Sequence, residues 1–278
     1  MSSFVNKAWG NTSRKKLAHK SNKLEAVTSF ISSVCVRARW SPLIRAELLK
    51  TGGKLPCKFM IVAVGVAASG FVKSYIVQES FSIIGALFTG MKEGDINTLT
   101  HQSPTDKTCY VYHSESMPDI LAVLCNTDVP AEQSYSFVHE LFSAVDISEC
   151  CILVLAVSMI SDYRSEVPVS DMAVPFMRAL RTTKYHMTPL CPYLEQPNII
   201  SGLQAQLLTY CQLQNAKAIL YNCYTDRIDL DVTTMKAFLP LIKSTPVKDF
   251  VLANPNRKAD ETLLKLVELH ASKNMLYL

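Results

Sequence analysis

Long apolar runs are missing from this chain of 278 residues: the longest lie around Phe59 to Ala68 and Cys150 to Ile160, short of the roughly 18 positions that a membrane helix needs. No insertion into a membrane is expected. Also missing is any Cys-x-x-Cys pair. The nine cysteines, at 35, 57, 109, 125, 150, 151, 191, 211 and 223, are odd in number and sit mostly in apolar runs, in a chain too large for a disulfide scaffold. They read as buried thiols of a reducing compartment. Zinc is not expected, because adjacent Cys150 and Cys151 point to opposite faces of a strand and Cys109 with His113 has no further ligands.

Signatures of catalysis are lacking too. There is no Gly-x-Ser-x-Gly elbow and no run of paired carboxylates, and the six histidines, at 19, 101, 113, 139, 186 and 270, are scattered. Gly65-Val66-Ala67-Ala68-Ser69-Gly70 follows a strand and opens a helix, which is where backbone N–H groups cradle phosphate. Its details do not fit. Phe71-Val72 stands where a P-loop needs Lys-Ser/Thr, and Ala67 stands where the dinucleotide fingerprint needs a second glycine. A structural turn is expected there, with no catalytic residue, cofactor or metal.

Acidic residues are nearly absent from the beginning of the chain. Residues 1–54 hold 11 Lys+Arg against Glu25 and Glu47, a net +9, while the remaining 17 basic and 22 acidic residues give −5. This Ser-rich basic leader fits a solvated tail, a mitochondrial transit peptide or an arm that touches nucleic acid. A mean hydropathy of +0.14 and 49% hydrophobic residues exclude disorder as the overall class.

What is present alternates between strand and helix patterns. Ser41-Pro42 starts a helix that Thr51-Gly52-Gly53 ends, and those glycines mark the expected boundary between the leader, 1–54, and the folded domain, 55–273. Phe59 to Val64 is a β-branched run suited to a strand buried on both faces, followed by a helix-like stretch from Gly70 to Gln78. Thr108 to Tyr112 and Ile120 to Cys125 suit a hairpin. A helical period from Pro130 leads into a strand at Cys150 to Val157. Asp171 to Thr182 reads as a short helix with Pro175 near its start, and Ile199 to Leu213 as a longer one. Lys217 to Tyr221 is another strand, Asp229 or Asp231 caps a helix through Met235 and Phe238, and the last helix runs from Lys258 to Lys273. Such alternation means an α/β sheet with helices on both faces.

The chain closes on Asn274-Met275-Leu276-Tyr277-Leu278, an apolar residue, a tyrosine, any residue and a carboxylate. Fraying and capture of an apolar C-terminus by a PDZ-like module are both open readings of these residues.

Three segments carry a resemblance: Pro175 to Thr182 (PFMRALRT), Cys191 to Ile199 (CPYLEQPNI) and Ala218 to Asp226 (AILYNCYTD). In order and spacing they resemble the eukaryotic proteasome assembly chaperone 1 family, from about Cys57 onward. The resemblance implies a nucleoside-phosphorylase-like α/β sandwich with a largely parallel sheet between helices. It also implies a heterodimer with proteasome assembly chaperone 2, binding to α-subunits of the proteasome core particle, and no enzymatic activity, nucleic acid or membrane insertion. The implied location is cytoplasmic, nuclear or associated with the endoplasmic reticulum. Carried onto this chain, the family's hydrophobic-Tyr-X tail falls on Leu276, Tyr277 and Leu278, which would enter a pocket between α-subunits. The basic leader departs from the family, so nothing is carried over to 1–54. A phosphorylase-type enzyme using the Gly65 to Gly70 loop is the rival reading of the fold.

Overall fold

The computed structural model describes residues 35–77, 80–91, 109–126, 128–244, 247–248 and 258–275. The expected tail, Leu276, Tyr277 and Leu278, lies outside the described residues, as does the leader before Cys35. In chain order the strands and helices are β1 (Cys35–Trp40), α1 (Pro42–Lys50), β2 (Leu55–Pro56), β3 (Phe59–Val64), α2 (Val66–Tyr75), β4 (Phe81–Met91), β5 (Cys109–Ser114) and β6 (Ile120–Cys125). There follow α3 (Ala131–Ser143), β7 (Val145–Asp146), β8 (Cys151–Met159), β9 (Phe176–Arg181), α4 (Gly202–Leu213), β10 (Lys217–Thr225), α5 (Val232–Lys236) and α6 (Ala259–Met275).

Eight strands make one sheet in the order β1-β4-β5-β6-β3-β8-β10-β9. The four central strands, β6, β3, β8 and β10, are parallel, and antiparallel ladders flank them on both sides. The expected largely parallel sheet is thus realised at the centre, where both faces are covered and unbroken aliphatic runs are needed.

On one face Met60, Val62, Leu121, Val123, Ile152, Val154 and Leu220 pack under α1, α3 and α4 through Ile44, Phe137, Leu141, Leu203 and Leu207. On the other, Ile61, Ala63, Leu124, Leu153, Leu155 and Ile219 pack under α2, α5 and α6 through Phe71, Val72, Met235 and Leu263. The result is three layers, helix on sheet on helix. Burying each such side chain contributes about 1.5–3 kcal/mol relative to exposure.

Two expectations are corrected. The stretch from Asp171 to Thr182 is not a helix: its core is β9, paired antiparallel with β10 from Phe176↔Tyr224 to Ile219↔Arg181. Its apolar residues at 176, 177, 179 and 180 fit a helical period, yet Met177 and Ala179 pack toward one face of the sheet and Leu180 toward the other. Period two wins because β10 supplies a ladder that an isolated helix could not match. The second correction is the boundary at Gly52-Gly53. β1 and α1 precede it and belong to the body: Ala38 pairs with Leu87, Trp40 with Gly85, and Ile44 is buried. Val36, Ala38 and Trp40 alternate with Arg37 and Arg39, so an edge strand was hidden inside a composition that read as a basic tail. Of the expected leader, residues 1–34 lie outside the described residues.

The β1–β4 contact depends on a missing side chain. A Cβ added at Gly85 would stand 2.6 Å from Trp40 Cε3, 2.9 Å from Cζ3 and 3.0 Å from the Arg39 carbonyl oxygen. The indole therefore lies flat on the backbone of β4. Gly85→Ala is expected to lower stability by about 1–3 kcal/mol through overpacking, measured by urea unfolding followed through Trp40 fluorescence. An unchanged midpoint would mean that the ring moves aside freely and does not fix this edge.

Candidate partner-binding segments

The three family-like segments meet at one edge of the sheet. β9 lies beside β10, and the segment after it folds back along the outer side of β9. Ala179 N donates to Pro192 O at 2.9 Å and Leu194 N donates to Ala179 O at 3.0 Å. Residues 192–194 thus cover part of what would be an open strand edge, a site prone to pairing with other chains.

An ionic and aromatic cluster holds this strap. Tyr163, Phe176 and Tyr224 meet with centroids 5.1, 4.8 and 5.4 Å apart. The Arg178 guanidinium lies 4.8 Å from the Phe176 ring centre and 5.5 Å from that of Tyr163. Arg178 Nε donates to both Glu195 oxygens at 3.0 Å, and the Tyr163 hydroxyl donates to Glu195 Oε2 at 2.7 Å. Asn198 closes the loop, its Oδ1 accepting from Arg164 N at 2.6 Å and its Nδ2 donating to Arg164 O at 2.9 Å. Beneath, Ser158 Oγ donates to Asn222 Oδ1 at 3.2 Å inside the core.

This constellation is arranged to fasten the strap. Burial pushes the Glu195 carboxyl up, but hydrogen bonds from Tyr163 and Arg178 outweigh it and hold the group below the ordinary carboxylate range. A base must hold a proton near neutrality, and this carboxylate is a poor one. For Tyr163, burial and the Glu195 contact both push the phenol up, so it stays a donor. Arg178 and Glu195 lie within the quoted segments and Tyr163 outside them, and no linear spacing joins the three. Only the shared edge does.

The Gly65–Gly70 turn is occupied by packing. Gly65, at φ 89°, precedes α2 and donates its N–H to Cys125 O at 2.9 Å. Ala67, Ala68 and Ser69 are buried. A Cβ at Gly70 would stand 2.6 Å from Met235 Sδ and 2.7 Å from Leu230 Cδ1. Side chains from the segment around α5 thus press on Gly70 in the first turns of α2, and the phosphorylase-type reading finds no support in this loop. Among the described residues no cluster of three His, Cys, Asp or Glu side chains could hold a metal, and no helix is long and apolar enough to cross a membrane.

The expected tail follows α6 directly. That helix is pinned over its first half: Ala259 and Leu263 are buried against α2, where Tyr75 Oη donates to Asp260 Oδ1 at 2.8 Å and Lys236 Nζ stands 3.6 Å from the same oxygen. Burial, with that hydrogen bond, pushes the Tyr75 phenol up to about 12. From Glu268 the pattern changes, and Glu268, Leu269, Ala271 and Ser272 are exposed. The second half of α6 therefore leaves the core before residue 276.

The strap has a measurable signature. Glu195→Gln is expected to cost about 1–2 kcal/mol, since Arg178 is only 18% exposed while Glu195 is 49% exposed, which discounts the loss. A lowered carboxyl pKa contributes stability that is full above the unfolded value, near ~4.3, and lost as pH falls through the folded value. Unfolding titrations of wild type should therefore lose stability below about pH 4 more steeply than those of the variant. Parallel curves would rule out a stabilising role for Glu195.

Comparison with known proteins agrees with this architecture. A family model described as proteasome assembly chaperone 4 matches residues 23–278. The Xenopus laevis protein named proteasome assembly chaperone 1 is 35% identical over 246 residues, covering 87% of this chain and 85% of the relative. The Homo sapiens protein of the same name is 31% identical over 225 residues, 81% and 77% of the two chains. Among solved structures, a Thermoplasma acidophilum protein superposes with a TM-score of 0.57 at 11% identity, over 85% of this chain and 94% of that one. Pyrococcus furiosus PbaA, described as an archaeal homolog of proteasome-assembly chaperone, gives 0.50 at 10% identity over 87% and 100%. At these identities the two structures speak for the fold. The family description carries the numeral 4 and the relatives carry 1; identity of 30% and more across most of both chains is the finer comparison. The chain belongs to the proteasome assembly chaperone 1 family.

Proposed function

We propose that this protein is a non-catalytic chaperone that pairs with proteasome assembly chaperone 2 in the cytoplasm and promotes assembly of the α-ring of the proteasome core particle. In this reading Leu276, Tyr277 and Leu278 seat in a pocket between neighbouring α-subunits. The family of its relatives supports the assembly role, and one observation supports the tail: α6 is anchored at Leu263 and Asp260, while Glu268, Leu269, Ala271 and Ser272 in its second half are exposed.

Each tail group has a separate task. Leu276 fills an apolar notch, Tyr277 buries its ring while its hydroxyl finds a partner, and the tail's carboxylate pairs with a cation in the pocket. Burying Leu and Tyr contributes about 1.5–3 kcal/mol each, against an association cost of several kcal/mol or more. The tail alone binds weakly. Carried by a body that also touches the ring, and beside a second chaperone, it gains by effective concentration without any new contact. A hold built this way can be released once competing contacts form.

The test is co-purification of the tagged full chain together with chaperone 2, followed by identification of bound α-subunits. Removing residues 276–278 is expected to reduce α-subunit capture at least tenfold, about 1.4 kcal/mol, while chaperone 2 stays bound. Tyr277→Ala should reproduce much of the loss. Equal capture with and without the tail would sink the anchoring mechanism and leave the body as the binding surface. Indifference to Tyr277→Ala combined with dependence on Leu278 would instead favour capture by strand addition.

A further inference from the structure

Two thiol pairs lie inside the body, unused by any role described above. Cys109 and Cys125 face each other across antiparallel β5 and β6, with sulfurs 3.1 Å apart and no exposure. Cys57 and Cys150 are 93 positions apart in sequence, and their sulfurs stand 3.5 Å apart. They occupy the connections leading into β3 and β8, beside the short β2–β7 ladder of Leu55↔Val145 and Pro56↔Asp146. All four are free thiols.

Either pair could close to the roughly 2.05 Å of a disulfide with small side-chain rotations. Access separates them. Cys57 is 7% exposed and lies in a connection, whereas Cys109, Cys125 and Cys150 show no exposure. An oxidant arriving from water therefore meets Cys57 first. The Cys150 S–H donates toward the Cys57 sulfur, and this contact, with burial, pushes the Cys150 thiol well up from its ordinary value. The Cys57 S–H in turn donates to Phe59 O at 3.3 Å. Two sulfurs this close, one of them nearer to solvent, can pass from a sulfenic acid to a disulfide.

The geometry points to a redox-responsive dithiol in which Cys57 reacts with a peroxide and Cys150 resolves the product to an intramolecular disulfide. In the first step Cys57 gives up its thiol proton and its sulfur attacks one oxygen of hydrogen peroxide. An S–O bond forms, the O–O bond breaks, and hydroxide leaves and takes up a proton as water. In the second step Cys150 attacks the Cys57 sulfenic sulfur. The S–S bond forms, the S–O bond breaks, and the departing hydroxyl leaves as water with the proton Cys150 gives up. Two electrons pass from the two sulfurs to the peroxide, which ends as two waters. The bond ties the connection before β3 to the connection before β8, two adjacent central strands, and closes a loop long enough to restrain the unfolded chain.

The experiment uses the full chain, fully reduced, exposed to graded hydrogen peroxide, denatured in N-ethylmaleimide and mapped by mass spectrometry without reduction. The expected first product is a Cys57–Cys150 linked peptide, reversed by dithiothreitol, with an unfolding midpoint several degrees above that of the reduced protein. In Cys150→Ala, dimedone should label Cys57; in Cys57→Ala, no label should appear at Cys150. A first linkage between Cys109 and Cys125, or a Cys57 still fully alkylated at a peroxide level that oxidises half-buried Cys191, would overturn the inference. The mapping of the unaltered chain decides the matter even if a variant folds poorly.

Discussion

Covering both faces of β3, β6, β8 and β10 is the constraint on which the rest of this structure depends. Met60, Ile61, Val62, Ala63, Val123, Val154 and Leu155 have no measurable exposure. With two helical layers over the centre, polar chemistry is displaced to the ends of the strands and the edges of the sheet. At the starts of the central strands Glu149 meets Lys217 at 2.7 Å and Lys184 at 3.6 Å, and Lys58 meets Asp119. Toward the ends of β8 and β10 the inward polar groups are Ser158 and Asn222, and above them sit Tyr163, Phe176, Arg178 and Glu195. The carboxyl ends of such strands are where α/β enzymes place their ligands. In this chain that region is filled by interlocked side chains of its own.

The same constraint explains the edges. A sheet of eight strands has two outer strands, and each is a template for unwanted pairing unless it is blunted. β9 is covered by the strap at residues 192–194, whose fastening through Arg178 and Glu195 is a bifurcated bond from one Nε to both carboxylate oxygens, backed by two aromatic rings. β1 is short, carries Arg37 and Arg39, and is pinned through Trp40 lying on Gly85. Each edge is held by a contact that a single side chain makes or that a single missing side chain allows.

These particulars also show what a linear reading can and cannot recover. Strands buried on both faces are unbroken aliphatic runs, so β3, β6, β8 and β10 were legible, as was α1 with its Ser41 cap; for α5 the sequence left the cap between Asp229 and Asp231, and it is the Asp231 carboxylate that accepts from Thr234 N at 2.8 Å. β9 was misread because six residues with apolar positions at 176, 177, 179 and 180 satisfy both periods, and the partner that decides between them lies 38 to 48 residues on, from the Ile219↔Arg181 to the Tyr224↔Phe176 pair. β1 was missed because two arginines in a short strand look like part of a basic tail. The strap cluster was illegible for a related reason: Tyr163, Arg178 and Glu195 are joined by no spacing rule, only by the fold. The tail triplet, Leu276 to Leu278, is a reading of the string alone and lies outside the described residues.

In the proposed anchoring by the tail, what the tail hangs from matters for the energetics. A flexible tether spreads its end over a volume that grows with length, and effective concentration falls accordingly. Here the anchor is Leu263 and the Tyr75–Asp260 hydrogen bond, and α6 continues from them as a helix to Met275. Twelve residues separate Leu263 from Met275 in sequence, and at ~1.5 Å per residue a helical stretch of that length reaches about 18 Å. A rod of that kind sets distance and direction together, and each residue that must be ordered on binding costs about 1–2 kcal/mol of backbone entropy. A tail too weak to hold a partner alone can then contribute most of its contact energy, provided that the body sits where the rod points.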